Sequence, residues 1–340
     1  MNIQSLPLNI TIFAIAAVVI AIVGTRMAKV TDQLADKTGW GQAIMGAVFL
    51  GGSTSLSGIV TSVTAAASGH SELAVSNAVG GIAAQTAFLA IADISYRKAN
   101  LEHAAASIAN LVQGTLLMSL LAIPLLATAS PQVSLWGIHP ATIILISAYI
   151  FGLRLVAQAR ENKMWSPRQT QLTNVKETST DNSNTSLSTL WIQFVIYALL
   201  VAASGYLIAQ SGLNIASITG ISESIVGGLF TAISTSLPEL VTTVAAVSRG
   251  ALTLAVGGVI GGNCFDLLLL AFSDIAYRQG SIYGAVGNRQ IFVMALTILM
   301  TGVLLLGLLQ RQEKGIGNIG FESFLILLLY VGGVVLLFIP

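Results

Sequence analysis

The chain alternates long apolar stretches with short polar ones. Ten apolar runs stand out, at about 8–28, 41–67, 72–94, 104–128, 140–158, 190–210, 222–248, 252–275, 288–310 and 321–339. A helix rises about 1.5 Å per residue, so roughly 20 apolar residues cross the hydrocarbon core of a bilayer. Each run reaches that length or comes close. The pattern predicts an all-α polytopic membrane protein with ten transmembrane helices. The first run has no Lys or Arg ahead of it, unlike a secretory leader with its basic start, and is read as a retained span. Residues 159–189 form the one long polar stretch. Rich in Ser, Thr, Asn and Gln, it lacks the apolar residues to bury a core and reads as a linker.

Composition agrees. Apolar residues make up 54% of the chain and charged residues 9%, with a mean hydropathy of +0.83; a water-facing domain carries about a quarter charged residues. Lipid is the solvent this sequence is built for. The net charge of +1 gives no basis for nucleic-acid binding. One cysteine, Cys264, rules out an internal disulfide, and three histidines make a zinc site a poor expectation.

Charge position adds an orientation. The loops after runs 1, 3, 5, 7 and 9 receive Arg26, Lys29, Lys37, Arg97, Lys98, Arg154, Arg160, Lys163, Arg168, Lys176, Arg249, Arg311 and Lys314. The other side receives Arg278 and Arg289. Thirteen basic residues against two place the 159–189 loop in the cytoplasm and both termini outside. A prokaryotic cytoplasmic (inner) membrane is the expected location.

The chain also repeats itself. Shifted by 181 residues, 13–97 aligns with 194–278 without a gap, and 32 of the 85 positions are identical. Gly24, Gly39 and Gly46 meet Gly205, Gly220 and Gly227, and Ser53–Leu56 meets Ser234–Leu237. Gly69, Gly80 and Gly81 meet Gly250, Gly261 and Gly262, while Asp93, Tyr96 and Arg97 meet Asp274, Tyr277 and Arg278. Shared composition aligns Leu with Leu; it does not hold Gly, Asp, Tyr and Arg in register over such a length. Five runs per half make the second copy cross the membrane in the opposite sense. The organisation expected is two inverted five-helix repeats, 1–158 and 190–340, around the 159–189 linker, with a substrate site where they meet at mid-membrane.

The unusual residues fall in the second and third runs of each half. In the second half they read Ser234-Thr235-Ser236-Leu237-Pro238-Glu239, then Gly257-Gly258-Val259-Ile260-Gly261-Gly262-Asn263-Cys264-Phe265-Asp266. A carboxylate inside a membrane is costly unless protonated, paired or holding a cation. Pro238 removes a helical N–H and frees carbonyls that need a partner. Carboxylate, hydroxyl and carbonyl oxygens together suit hard cations such as Ca²⁺ and Na⁺. Nearby glycines let the helices approach closely.

Ser-Thr-Ser-Leu-Pro-Glu-Leu followed by Gly-x-x-Gly-Gly-Asn-x-x-Asp resembles the second α-repeat of the sodium/calcium exchanger family, the calcium/cation antiporters. The α-repeats here are about 46–97 and 227–278. The resemblance implies a secondary antiporter, not an enzyme, that exchanges Na⁺ or H⁺ for another cation by alternating access, with Ca²⁺ foremost. It implies no cofactor, only transported ions, and runs 1 and 6, which carry Gly24 and Gly205, as the moving elements. Cation ligands carried over by position are Glu239, Asp266, Thr235 and Ser236, with Asn263 beside them; in the first half Thr54, Ser55, Asn77 and Gln85 occupy the corresponding region. Glu239 and Asp266 are the acids expected to touch the metal ion.

The first half departs from that family pattern. Ser57-Gly58 stands where Pro-Glu is usual, Ile82 and Gln85 stand where Asn is usual, and Gly81, Gly262 and Gly258 also differ. Two membrane acids favour a divalent ion less strongly than three or more. A monovalent cation exchanger and a transport-silent relative are therefore alternatives. Asp93 with Arg97 and Asp274 with Arg278 have the i, i+4 spacing of local ion pairs. His70, His103 and His139 are read as solvated. Ser55-Leu56-Ser57-Gly58 superficially suggests an intramembrane serine hydrolase, but no facing histidine is available to activate the serine.

Overall fold

The computed structural model describes residues 5–38, 51–96, 100–131, 133–161, 185–248, 250–312 and 319–339. Gly39, Gly46, Arg97, Lys98, Lys163, Arg168, Lys176, Arg249, Lys314 and most of the polar linker lie outside them. Within the described residues the structure is helical, apart from an isolated bridge between Leu135 and Ile138.

The first span starts as α1 (Leu6–Val19), passes through a π-helical turn at Ile20–Gly24 and continues as α2 (Thr25–Thr38). It is longer than the 8–28 expected from hydropathy. Arg26, Lys29 and Lys37, expected on a loop, are instead helical in α2. Met27, Val30, Thr31 and Leu34 bury one face while Arg26 and Lys29 are exposed on the other; this amphipathic pattern lowers mean hydropathy without ending the helix. Two segments follow, α3 (Gly51–Thr54) and α4 (Leu56–Ala67), then α5 (Ser71–Ser95), a short α6 (Leu101–Ala105), α7 (Ile108–Ala129) and α8 (Pro140–Glu161).

The second half opens with α9 (Leu187–Thr219), again longer than the expected 190–210, and ends it on Gly220 at φ +73°. The next span is broken: α10 (Glu223–Ile225), a π turn at Val226–Thr231 and α11 (Ala232–Thr235) meet α12 (Leu237–Ser248) at a 45° bend. Then come α13 (Leu252–Asp266), α14 (Leu268–Ala276), α15 (Asn288–Gln310) and α16 (Phe321–Leu337). Among the described residues seven helices are long and apolar enough to cross a membrane, eight with the bent pair; α4 and α16 are shorter apolar helices.

Burial sorts them into centre and rim. The apolar window of Ser71–Ile94 is 94% buried and that of Leu252–Ala276 78%, against 17% for the first span and 28% for Leu187–Thr219. The rim exposes Ile15, Val18, Leu199, Phe324 and Leu328, each by half or more. Such a surface suits lipid and would be an aggregation hazard in water.

Glycines bring the centre together. A Cβ on Gly80 would lie 2.3 Å from the Gly228 carbonyl oxygen, so α5 meets the π turn backbone to backbone. A Cβ on Gly24 would lie 2.5 Å from Pro238 Cγ, and one on Gly205 2.7 Å from the Ser57 carbonyl oxygen. Both members of each pair differ by 181, so the same contact occurs twice with the halves exchanged.

Asp93 and Asp274 obey the same rule. Asp93 accepts from Leu101 N at 2.7 Å and Gly320 N at 3.1 Å. Asp274 accepts from Ile282 N at 2.8 Å and His139 N at 2.8 Å, residues displaced by 181 from Leu101 and Gly320. Each aspartate thus pins the turn after its own helix to the start of a helix in the other half. The expected i, i+4 ion pair is absent for Asp274: Arg278 is exposed and the carboxylate is committed to backbone N–H groups. The histidines also differ from expectation. His103 is buried with Nδ1 2.7 Å from the Arg311 carbonyl, and His139 is buried with Nδ1 accepting from Ala141 N. His70 is partly exposed and pairs with Glu223 at 2.7 Å.

Candidate cation site

Both copies of the Ser-Thr-Ser-Leu motif break their helix at the same place. Ser55 separates α3 from α4 at φ −80°, ψ 1°, and Ser236 separates α11 from α12 at φ −95°, ψ 5°. Only the second copy has a proline, so proline is not what both breaks share. The carbonyl of Thr235 accepts from Ser57 Oγ at 3.1 Å, across the junction of the halves. A freed carbonyl expected to face an ion is thus partly satisfied by protein.

The two breaks lie beside the middle of α5 and the junction of α13 with α14, where a small cavity of about 10 Å³ forms, room for about one water-sized sphere. Its wall contains Ser55, Gly58, Asn77, Ala78, Gly81, Gln85, Thr235, Ser236, Glu239, Asp266 and Leu269. Seven of the nine residues singled out from sequence therefore meet here. Thr54 stands just behind, its hydroxyl within reach of the Gly51 carbonyl at 3.1 Å and of the Glu239 carboxyl. Asn263 does not reach the cavity; it is buried with Nδ2 donating to Thr86 Oγ1 at 3.1 Å.

Gln85 and Asp266 are 181 residues apart, and they touch. Gln85 Nε2 donates to Asp266 Oδ2 at 2.6 Å and to Ser236 Oγ at 3.2 Å, while Ser55 Oγ donates to Asp266 Oδ1. Ser55 and Ser236 are themselves counterparts. The pair therefore sits where a twofold relation between the halves would map the site onto itself. Sequence reading named both residues without foreseeing that they meet; the 181-residue shift held the signal, because Gln85 aligns with Asp266.

Asn77 organises the other wall. Its Oδ1 accepts from Thr231 Oγ1 at 2.7 Å and Thr235 Oγ1 at 3.5 Å, and its Nδ2 donates to Ser62 Oγ at 2.9 Å and the Gly58 carbonyl at 3.4 Å. Thr231 and Ser62 were not singled out from sequence, since a hydroxyl on an apolar helix usually bonds back to its own turn. A Cβ on Gly58 would point at Leu269 Cδ2, 3.1 Å away, with Thr235 Oγ1 at 3.9 Å and Asn77 Nδ2 at 4.0 Å. Where the second half carries the Glu239 carboxylate, the first has Gly58, and its own Asn77 amide and Leu269 of the other half close in on that position.

Two buried oxygens on this wall lack any partner: Glu239 Oε2 and Gln85 Oε1. Buried polar atoms are normally satisfied, because an unmade hydrogen bond in a dry interior is costly. Carboxylate, amide and hydroxyl oxygens converge here, and among the described residues no basic side chain lines the cavity. Among the described residues no three His, Cys, Asp or Glu side chains cluster to hold a metal. A cation here would take neutral oxygens alongside its two acids.

The model of the family described as sodium/calcium exchanger protein matches residues 8–157 and 189–339. The chain belongs to the sodium/calcium exchanger family. These are membrane transport proteins of the antiporter type, and both matched blocks contain one of the two helix breaks. The protein CaxA of Alkalimonas amylolytica is 30% identical over 190 residues, 55% of this chain and 57% of that protein; the chain thus spans little more than half the length of that relative. Among solved structures, the sodium-calcium exchanger NCX_Mj superposes with a TM-score of 0.60 at 20% identity, over 97% of this chain and 99% of that one. An H⁺/Ca²⁺ exchanger, CAX, gives 0.68 at 15% identity, over 96% and 82%. The exchanger fold is shared across essentially the whole chain.

Proposed function

We propose that this exchanger-family chain is a secondary antiporter that binds one cation at a time in the central cavity, with Glu239 and Asp266 as its acidic ligands. Ca²⁺ is the first candidate, exchanged for Na⁺ or H⁺. The reading rests on Glu239 Oε2, a buried carboxylate oxygen without a partner on the wall of a cavity lined by other oxygens. Ser55, Ser236, Thr235, Asn77 and Gln85 complete the oxygen set, and Thr54 orients Glu239. Competition of two ions for one carboxylate couples their fluxes. The organisation proposed is ten spans in two inverted halves, 1–158 and 190–340, joined by the 159–189 linker, in a prokaryotic inner membrane with both termini outside. The exchanged contacts 181 residues apart and the asymmetry of basic residues support it.

The test is uptake of radioactive calcium into everted vesicles under a sodium or a proton gradient. Uptake by the wild type that disappears in Glu239→Gln is the expected result. Equal uptake by both removes Glu239 from the mechanism. A second reading, monovalent cation exchange, draws on the missing acid at Gly58; it predicts calcium-independent sodium/proton exchange in the same vesicles. The third, a transport-silent relative, predicts no response of the purified protein to Ca²⁺, Na⁺, K⁺ or Mg²⁺.

A further inference from the structure

Away from the cavity, the two aspartate clamps differ in their neighbours. Asp274 accepts from Ile282 N, His139 N, Thr142 Oγ1 at 2.6 Å and Ser281 Oγ at 3.2 Å, and Ala141 lies in the chain between His139 and Thr142. Asp93 accepts from Leu101 N, Gly320 N and the Ser323 hydroxyl, the counterparts of Ile282, His139 and Thr142. The counterpart of Ala141 is Glu322. A second carboxyl therefore lies beside the first, close enough for its charge to act on Asp93. Both residues are fully buried.

Glu322 has been given a slot. A Cβ on Gly307 would lie 2.4 Å from its Cγ, and one on Gly320 2.1 Å from its Oε1. Only glycines at these two positions admit the side chain. Yet neither Glu322 Oε1 nor Oε2 has a hydrogen-bond partner. Among the described residues the nearby charged groups do not supply one. The Arg311 guanidinium donates to the His103 carbonyl at 3.3 and 3.4 Å, and the His103 ring is bonded to the Arg311 carbonyl. The start of α16 adds a favourable helix dipole, which is weak against two adjacent buried acids. Two adjacent buried carboxyls, one with both oxygens unpartnered among the described residues, suit a positive ion.

We propose that Glu322 and Asp93, with the Ser323 hydroxyl, form a second binding site for a hard divalent cation, separate from the central cavity. One divalent ion balances the two carboxylates, and Glu322 offers both oxygens to it. Bound there, the ion ties the start of α16 to the end of α5. Its role is to set the stability of that junction, not to be carried across.

Calcium alone is the probe, in equilibrium dialysis of the purified full chain. Two ions per wild-type chain are expected, one for Glu322→Gln, one for Glu239→Gln and none for the double variant. Loss of all binding in Glu239→Gln, with Glu322→Gln equal to wild type, overturns the second site. Binding lost in Glu322→Gln but untouched in Glu239→Gln supports this site and removes the central one instead. If Glu322→Gln does not fold, the melting temperature of Glu239→Gln decides. A rise with calcium supports the second site through mass action, and no rise overturns it.

Discussion

The two halves share their backbone plan and differ in what it carries. Each has a long first helix, a break after Ser-Thr, and an aspartate clamp reaching into the other half. The second half adds Pro238 and Glu239 at its break; the first has Ser57 and Gly58 there, and the space is filled by Leu269 and the Asn77 amide. Where the counterparts Gln85 and Asp266 meet, one is a carboxylate and the other an amide that donates to it. Backbone geometry tolerated these changes because it depends on glycine contacts and caps; charge did not need to be shared equally. The lesson is that scaffold symmetry and chemical asymmetry are independent here.

That contrast can be broken experimentally. The largest effect is expected at the acid with a partnerless oxygen: Glu239→Gln should weaken cation binding by about 100-fold, about 2.7 kcal/mol, measured by calcium dialysis. Asp266→Asn should cost less, about 10-fold, since both its oxygens already accept from Ser55 and Gln85. An equal loss at the two acids would erase the distinction.

Next comes packing. Gly80→Ala drives a Cβ into the Gly228 backbone and should destabilise by about 2 kcal/mol or more. Its counterpart Gly261 faces only the Gln113 side chain, at 3.0 Å, so Gly261→Ala should cost under about 1 kcal/mol. Thermal unfolding in detergent compares them. Gly58→Glu would restore the first-half acid. It must displace the flexible Leu269 tip, and divalent affinity should rise about 10-fold. The smallest effect is expected for Pro238→Ala. Since Ser55 breaks its helix with no proline following, the variant should keep its bend and lose less than about threefold in uptake.

Much of this was legible in the sequence because apolar runs and the 181-residue shift survive any detail of packing. Glu239, Asp266 and their hydroxyl neighbours were legible because membrane acids are rare. The true reach of α2 was not, since Arg26 and Lys29 on its exposed face mimic a loop. Spacing suggested a partner for Asp274 in Arg278, but a buried carboxylate gains more from two fixed backbone donors than from an exposed guanidinium. Glu322 escaped notice because an acid in the first turn of a helix looks like an ordinary surface residue favoured by the dipole. Only burial between Gly307 and Gly320 reveals it.

The clamps at Asp93 and Asp274 act like dowels driven through the two ends of the bundle. With both ends doweled, the central helices cannot part without losing the bonds of two buried carboxylates at once. The less buried rim is joined to this core differently, the long first helix meeting Pro238 at Gly24 and α9 meeting Ser57 at Gly205.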